Sequence, residues 1–240
     1  MLNLFYQHYE IVINTMFESI IRLFFPDVCL ACTQMLTDNE IYICTSCRHN
    51  LPVTNQEFGK NNSTYKALYG RVKIESAISL LRFEKKGITQ KLLHNLKYRG
   101  YEQVGVFLGK WLGETIKETS LKKDIDIVIP VPIHKKKLRK RKYNQVDKCS
   151  HEIACALEAK YYQDVLIKVR NVTSQVGKKR FKRWLSNQEV FQLKNASKIE
   201  NKHILLVDDI ITTGATMEAC ISILHQAKNV KISIATMAIA

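Results

Sequence analysis

The run from Ile204 to Thr216 contains two adjacent carboxylates directly after a short apolar stretch. The apolar residues 204–207 predict a buried strand, and Asp208 and Asp209 follow it. Ligands of parallel sheets bind outside the carboxyl ends of the strands, so both acids are expected to face a ligand crevice. Carboxylates in that position can accept hydrogen bonds from ribose hydroxyls.

The residues after the acids have the chemistry of a phosphate-binding turn. Thr212, Thr213 and Thr216 carry hydroxyl groups, Gly214 allows a tight turn, and Ala215 follows it. The free amides at a helix N-terminus favour a phosphate there. The run has neither the Gly-Lys-Thr ending of a Walker A loop nor the glycines of a dinucleotide fingerprint. An ordinary strand, turn and helix with a threonine cap is the structural alternative.

Four cysteines form two Cys-x-x-Cys pairs, Cys29 with Cys32 and Cys44 with Cys47. Each pair can place both thiolates on one tetrahedral metal ion, which predicts a zinc site. Four protein ligands leave no open position, so this zinc would be structural. Two redox-active or merely buried pairs are the alternative.

A dense cationic segment follows the predicted strand that ends at Pro130. Its candidate nucleic-acid contacts are Lys135, Lys136, Lys137, Arg139 and Lys140. Arg141 is a candidate catalytic residue, because a cation can stabilise a departing pyrophosphate. Magnesium is expected to contribute to the same task.

A second basic cluster mixes cations with aromatic residues, as single-strand binders do. Its candidate contacts are Lys178, Lys179, Arg180, Lys182, Arg183 and Trp184. The net charge of +15 at pH 7 also favours a polyanionic partner. A solvated basic face with the aromatic side chains packed inward is the alternative.

The elements that must position these residues alternate between short β-rich runs and amphipathic helices, which predicts an α/β fold with a mainly parallel sheet flanked by helices. A polar stretch before residue 70 predicts residues 1–70 as an N-terminal helix with the cysteine module, and 71–240 as the main domain. Paired cysteines and the lack of a signal peptide favour a reducing, cytoplasmic compartment. No stretch is long and apolar enough for a stable membrane span.

Several motifs together resemble the ComF family, in an order that covers nearly the whole chain. Besides the cysteine pairs and the run from Ile204, they are Leu96-Lys97-Tyr98-Arg99-Gly100, Val128-Ile129-Pro130-Val131-Pro132, Tyr143-Asn144-Gln145 and Thr173-Ser174-Gln175. The run from Ile204 by itself resembles the motif with which type I phosphoribosyltransferases bind phosphoribosyl pyrophosphate (PRPP).

The resemblance implies a zinc-binding module joined to a phosphoribosyltransferase-like domain, and a role in natural transformation, where imported single-stranded DNA is handled in the cytoplasm. It implies that Asp208, Asp209 and residues 212–216 bind PRPP, with Arg141, Asn144 and Gln145 near it. A DNA-uptake helicase or membrane channel would be a further partner, which would place the protein at the inner face of the membrane. Lys142 stands where the family has glycine, which puts the conformation of that loop in question.

Three classes of function remain open from the sequence. The leading one is a PRPP-binding competence protein that handles single-stranded DNA, with any catalysis being displacement of pyrophosphate at the ribose anomeric carbon. The second is a nucleotide-salvage or amidophosphoribosyl transferase. The third is a catalytically inactive nucleic-acid-binding module.

Overall fold

The computed structural model describes residues 25–119, 124–169 and 190–240. The chain divides into two compact units, Met1–Asn50 and Leu51–Ala240. Across the described residues, none of the helices combines the length and the apolarity that crossing a membrane requires.

The larger unit is built on a five-stranded sheet in which every neighbouring pair is parallel. Its strands are β1 (Ala77–Arg82), β2 (Ile127–Pro130), β3 (Lys160–Tyr161), β6 (His203–Ile211) and β7 (Lys231–Ile239). Their order across the sheet is β1-β7-β6-β2-β3. The central strands are buried along almost their whole length, as apolar runs in a parallel sheet require. The predicted α/β class is confirmed.

The helices of this unit are α2 (Ser63–Lys66), α3 (Ile88–Tyr98), α4 (Gln103–Lys117), α5 (Lys135–Arg141), α6 (Asp147–Leu157) and α7 (Ala215–Leu224), and α1 (Thr45–His49) belongs to the smaller unit. Helices α4 and α6 pack closely because α4 presents Gly105, Gly109 and Gly113 at four-residue spacing. A Cβ at Gly109 would lie 2.6 Å from the Cys149 carbonyl oxygen, and one at Gly113 would lie 2.7 Å from the Ala156 Cβ.

Residues 51–70 lie with the sheet, so the compact units divide ahead of the expected boundary at residue 70. The Thr54 amide donates to the Leu80 carbonyl at 2.9 Å. The Asn62 side chain donates to the Ala77 carbonyl at 2.7 Å. These bonds to β1 make the polar stretch part of the larger unit, although its composition is that of a linker.

An antiparallel ribbon, β4 (Leu166–Lys168) with β5 (Phe191–Leu193), lies outside the main sheet. The residues at 165–169 indicate a strand. The pattern of apolar residues does not indicate that this strand pairs with β5 instead of joining the main sheet. In the smaller unit, described residues 25–50 include an isolated antiparallel bridge between Val28 and Met35.

Candidate functional site

Strand β6 carries Asp208 and Asp209 within its length rather than after it. The strand was expected to end at Val207, but it continues to Ile211 because β7 pairs with it as far as Ile239. The pairing with β2 stops at Val207, opposite Pro130. The acids therefore occupy the carboxyl end of a strand that has lost one neighbour, at the edge where a parallel sheet binds its ligands.

Asp209 is the centre of a hydrogen-bond network. The residue is only 4% exposed. Its Oδ2 lies 2.8 Å from Lys97 Nζ and accepts a bond from Gln145 Nε2 at 2.9 Å. The Asp209 amide donates to Asp208 Oδ1 at 2.8 Å, which fixes the two acids relative to each other. Lys97 belongs to the Leu96–Gly100 motif, but no local pattern predicts its ion pair with a residue more than a hundred positions away.

Asp208 is a buried acid beside another acid. Burial, and then the neighbouring Asp209 charge, raise the pKa of Asp208 from its ordinary 3.8 to about 8. At neutral pH without ligand, Asp208 is therefore mainly protonated. It can donate a hydrogen bond, whereas Asp209 beside Lys97 accepts them.

The turn after β6 exposes the hydroxyl-bearing residues Thr212, Thr213 and Thr216 to solvent. Gly214 has φ of 75°, the left-handed region that glycine adopts most easily. A Cβ there would also lie 2.7 Å from Leu68 Cδ2. Helix α7 starts at Ala215, so its free amides face the same turn.

Arg71 holds this turn from outside the motif. Its Nη1 donates to the Thr213 carbonyl at 2.5 Å, and its Nη2 is bonded to the Glu218 carboxylate. Arg71 could not be predicted as part of the site, because an isolated arginine so far from the motif carries no local signal. The residue fixes the backbone that would surround a phosphate.

The cationic segment joins the acids through Gln145. Arg141 donates to Gln145 Oε1, and the Gln145 amide in turn donates to Asp209. Asn144 donates to the Val131 carbonyl at 3.1 Å and so ties this segment to the end of β2. The predicted neighbours Arg141, Asn144 and Gln145 thus lie at the carboxyl ends of β2 and β6.

Lys142 adopts the left-handed conformation, with φ of 72°. It is the C-cap of α5, and its amide donates to the Leu138 carbonyl at 2.6 Å. The loop thus keeps the backbone conformation that glycine would take, at the cost of placing a lysine in an unfavourable region.

The candidate nucleic-acid residues of the first basic segment lie on helix α5, where Lys135, Lys136, Lys137, Arg139 and Lys140 are exposed. The density of cations in the sequence favours a loop for this segment, but residues 135–141 form a helix. The second basic cluster, Lys178, Lys179, Arg180, Lys182, Arg183 and Trp184, lies outside the described residues.

Two cavities flank helix α5. One of about 290 Å³ is lined by Lys97, Tyr98, Gly100, Lys137, Lys140, Arg141 and Tyr143. The other, of about 570 Å³, lies towards the β4–β5 ribbon, and its lining includes Lys135, Leu138, Lys142 and Lys168. Burial lowers the pKa of Lys168, whose Nζ lies 4.8 Å from the centroid of the Phe191 ring.

The smaller unit brings the four paired cysteines together. The sulfur atoms of Cys29, Cys32, Cys44 and Cys47 all lie within 4.8 Å of one another, and those of Cys32 and Cys44 are 3.7 Å apart. A tetrahedral zinc with Zn–S bonds of about 2.3 Å separates its sulfurs by about 3.8 Å. Two backbone amides also donate to the sulfurs, Cys44 N to Cys29 and Cys47 N to Cys44. The cluster fits a tetrahedral metal ion such as zinc.

Comparison with protein families matches residues 138–239 to the phosphoribosyl transferase domain. The matched range covers less than half of the chain. The matched range begins inside α5 and includes the acids, the turn and the whole of β7. Arg71 and Lys97 lie before the matched range, although both contact residues within it.

Two competence proteins are similar to this chain. Competence protein F of Haemophilus influenzae is 27% identical over 111 residues, which cover 46% of this chain and 48% of that protein. Competence protein ComFC of Bacillus subtilis is 33% identical over 112 residues, which cover 46% of this chain and 43% of that protein. Each match thus covers about half of the relative's length. The resemblance to the ComF family is confirmed.

Two solved structures that are similar to this chain are the following. Glutamine PRPP amidotransferase from Bacillus subtilis has a TM-score of 0.40 at 19% identity, over 59% of this chain and 30% of the other. Adenine phosphoribosyltransferase from Saccharomyces cerevisiae has a TM-score of 0.36 at 16% identity, over 62% of this chain and 74% of the other.

Proposed function

We propose that this is a competence-related protein whose phosphoribosyl transferase domain binds PRPP and which handles single-stranded DNA. The observation that carries the PRPP proposal is the adjacency of Asp208 and Asp209 to the turn 212–216 at the carboxyl end of β6. The acids suit the ribose hydroxyls, and the exposed threonines and helix amides suit the 5′-phosphate. Asn144 and Gln145 border the same edge of the sheet.

Any transfer reaction at this site would break the bond between the ribose anomeric carbon and pyrophosphate and form one to an acceptor. Asp208 and Asp209 would orient the ribose by hydrogen bonds to its hydroxyls. Arg141, held by Gln145, would stabilise the negative charge that develops on the leaving pyrophosphate. Magnesium bound with PRPP would supply further neutralisation of that charge.

The role in DNA handling is supported by the two competence proteins and by the net charge of +15. The exposed cations of α5 lie beside the proposed PRPP site and can follow a phosphate backbone. In this role the protein works in the cytoplasm, where it would meet a DNA-uptake helicase or membrane channel at the inner face of the membrane.

Isothermal titration with PRPP and magnesium tests the first part of the proposal. Asp208→Ala combined with Asp209→Ala removes both ribose contacts and is expected to abolish measurable PRPP binding. Asp164→Ala combined with Glu200→Ala removes two carboxyl groups from exposed positions and serves as the control. Equal PRPP affinity in the two double variants would contradict the proposal.

The same acid variant separates the three classes of function when natural transformation and DNA binding are measured in parallel. The PRPP-binding competence protein loses transformation. An inactive nucleic-acid module keeps DNA binding and transformation unchanged. A salvage or amidophosphoribosyl transferase releases pyrophosphate when supplied with PRPP and a nucleobase or an amine donor, independently of DNA.

We further propose that the cysteine cluster binds one structural zinc ion. Bound zinc can contribute about 10 kcal/mol to the folding of a small unit that buries little apolar surface. Metal analysis is expected to find one zinc ion per chain in the unsubstituted protein and none in Cys44→Ser. Cys155→Ser is the control, because Cys155 is an exposed cysteine outside the cluster, and this variant should keep the zinc ion. Full zinc content in Cys44→Ser would rule out this ligand set.

A further inference from the structure

The 290 Å³ cavity beside α5 has a lining that differs from that of the acid pair and its turn. Four of its seven lining residues are cationic, namely Lys97, Lys137, Lys140 and Arg141. No carboxylate is among the described residues that line it. Such a cavity attracts a phosphate group, but it has no acid to bind the hydroxyls of a ribose.

Tyr98 provides this cavity with an aromatic surface. Tyr98 is 71% exposed, so most of the ring is accessible to a ligand. The Arg141 guanidinium lies 5.7 Å from the centroid of the ring, and His94 packs at 5.0 Å with its ring tilted. The ring thus has two neighbours, while most of its surface faces solvent. Binding of phosphate alone does not require such a ring.

Tyr143, the other aromatic residue in the lining, has a different role. Its hydroxyl donates to the Leu96 carbonyl at the end of α3, so the ring fixes the wall of the cavity. Of the two rings that line the cavity, Tyr98 is the exposed one. An aromatic ring for bases and several cations for phosphates are the two components of sites that bind single strands without sequence preference.

We propose that this cavity binds one nucleotide unit of single-stranded nucleic acid, with its base stacked on Tyr98 and its phosphate bound by Lys137 and Lys140. This inference rests on the proposed handling of single-stranded DNA and assigns it a location. Lys97 lines the cavity and also bonds Asp209, so the bound strand would lie next to the proposed PRPP site.

Fluorescence anisotropy with a labelled oligothymidylate, which has no secondary structure, measures the effect of Tyr98. Loss of one stacked base is expected to weaken binding of Tyr98→Ala by about 5- to 100-fold. Tyr98→Trp restores the platform and is expected to restore affinity. Tyr69→Ala is the matched control, because Tyr69 is a 74% exposed tyrosine that does not line the cavity.

The salt dependence of binding distinguishes stacking from charge. Lys137→Ala combined with Lys140→Ala is expected to reduce the slope of log K against log salt by about 0.7, the value for one lost phosphate contact on a single strand. Tyr98→Ala should leave that slope unchanged, since it removes no charge. A changed slope in Tyr98→Ala with an unchanged melting temperature would contradict the stacking role.

Two further results would overturn the inference. One is equal oligonucleotide affinity in Tyr98→Ala and Tyr69→Ala. The other is weaker PRPP binding in Tyr98→Ala with unchanged oligonucleotide binding, which would assign the cavity to the PRPP leaving group. Failure of the PRPP proposal would give a different pair of results. The Asp208 and Asp209 substitutions would then leave PRPP affinity unchanged, while Tyr98→Ala would still weaken oligonucleotide binding.

Discussion

Lys97 Nζ lies 2.8 Å from Asp209 Oδ2, and this ion pair joins the end of helix α3 to the middle strand of the sheet. The Asp209 side chain is 6% exposed and that of Lys97 is 22% exposed, so solvent screens the pair only in part. Without Lys97, the buried carboxylate would keep the Gln145 hydrogen bond but lose its counter-charge.

We therefore expect Lys97→Met to lower the free energy of unfolding by about 1–3 kcal/mol, because it leaves a buried charge unpaired. Urea denaturation of Lys97→Met, Asp209→Asn and the double variant forms a double-mutant cycle. The double variant should be more stable than the sum of the single effects predicts. Strictly additive effects would show that the pair is not coupled.

Asp208 should make the stability of the ligand-free protein depend on pH. Its folded-state pKa of about 8 lies above its ordinary 3.8, so the folded protein binds more protons between these values than the unfolded chain. The contribution of Asp208 to the free energy of unfolding is fully present below about pH 4 and is lost as the pH rises through about 8. The melting temperature of the natural protein, measured relative to Asp208→Asn, is expected to fall over that range. A constant difference between the two proteins would contradict the raised pKa.

Lys142 is expected to be a position where glycine stabilises the fold. Its φ of 72° costs an L-residue roughly 1 kcal/mol that glycine does not incur. Lys142→Gly should therefore raise the free energy of unfolding by up to about 1 kcal/mol in urea denaturation. Lys142→Ala is the control, since it removes the side chain but keeps the Cβ, and it should give no such gain.

Gly109 is expected to be intolerant of a methyl group despite its place inside a helix. Alanine normally stabilises a helix relative to glycine, but this Cβ would lie 2.6 Å from the Cys149 carbonyl oxygen. Overpacking of this kind costs about 1–3 kcal/mol, so Gly109→Ala should lower the melting temperature. Gly105→Ala, whose nearest contact would be 3.3 Å, is the comparison and should have a smaller effect. Equal melting temperatures would show that α4 and α6 can move apart freely.

Much of the fold could be predicted because local signals agree with the tertiary structure. The pattern of apolar residues indicates a helix from Ile88 to Tyr98, and α3 has those limits, followed by Gly100 with φ of 78°. The strand predicted at 204–207 was too short, because the pattern of apolar residues ends at Asp208 while pairing with β7 continues. Burial of an acid cannot be deduced from periodicity when its partners come from other elements.

The amino-acid sequence by itself determined the chemistry available to this protein: an acid pair before a threonine-rich turn, four cysteines at metal-ligand spacing, and a strong excess of positive charge. These features depend on residues close together in the chain, where spacing fixes geometry. Only the tertiary structure decided that Lys97 pairs with Asp209, that Arg71 holds the turn, and that Tyr98 shares a cavity with the cations of α5. Those contacts join residues far apart in sequence, and only the packing of helices on the sheet brings them within bonding distance.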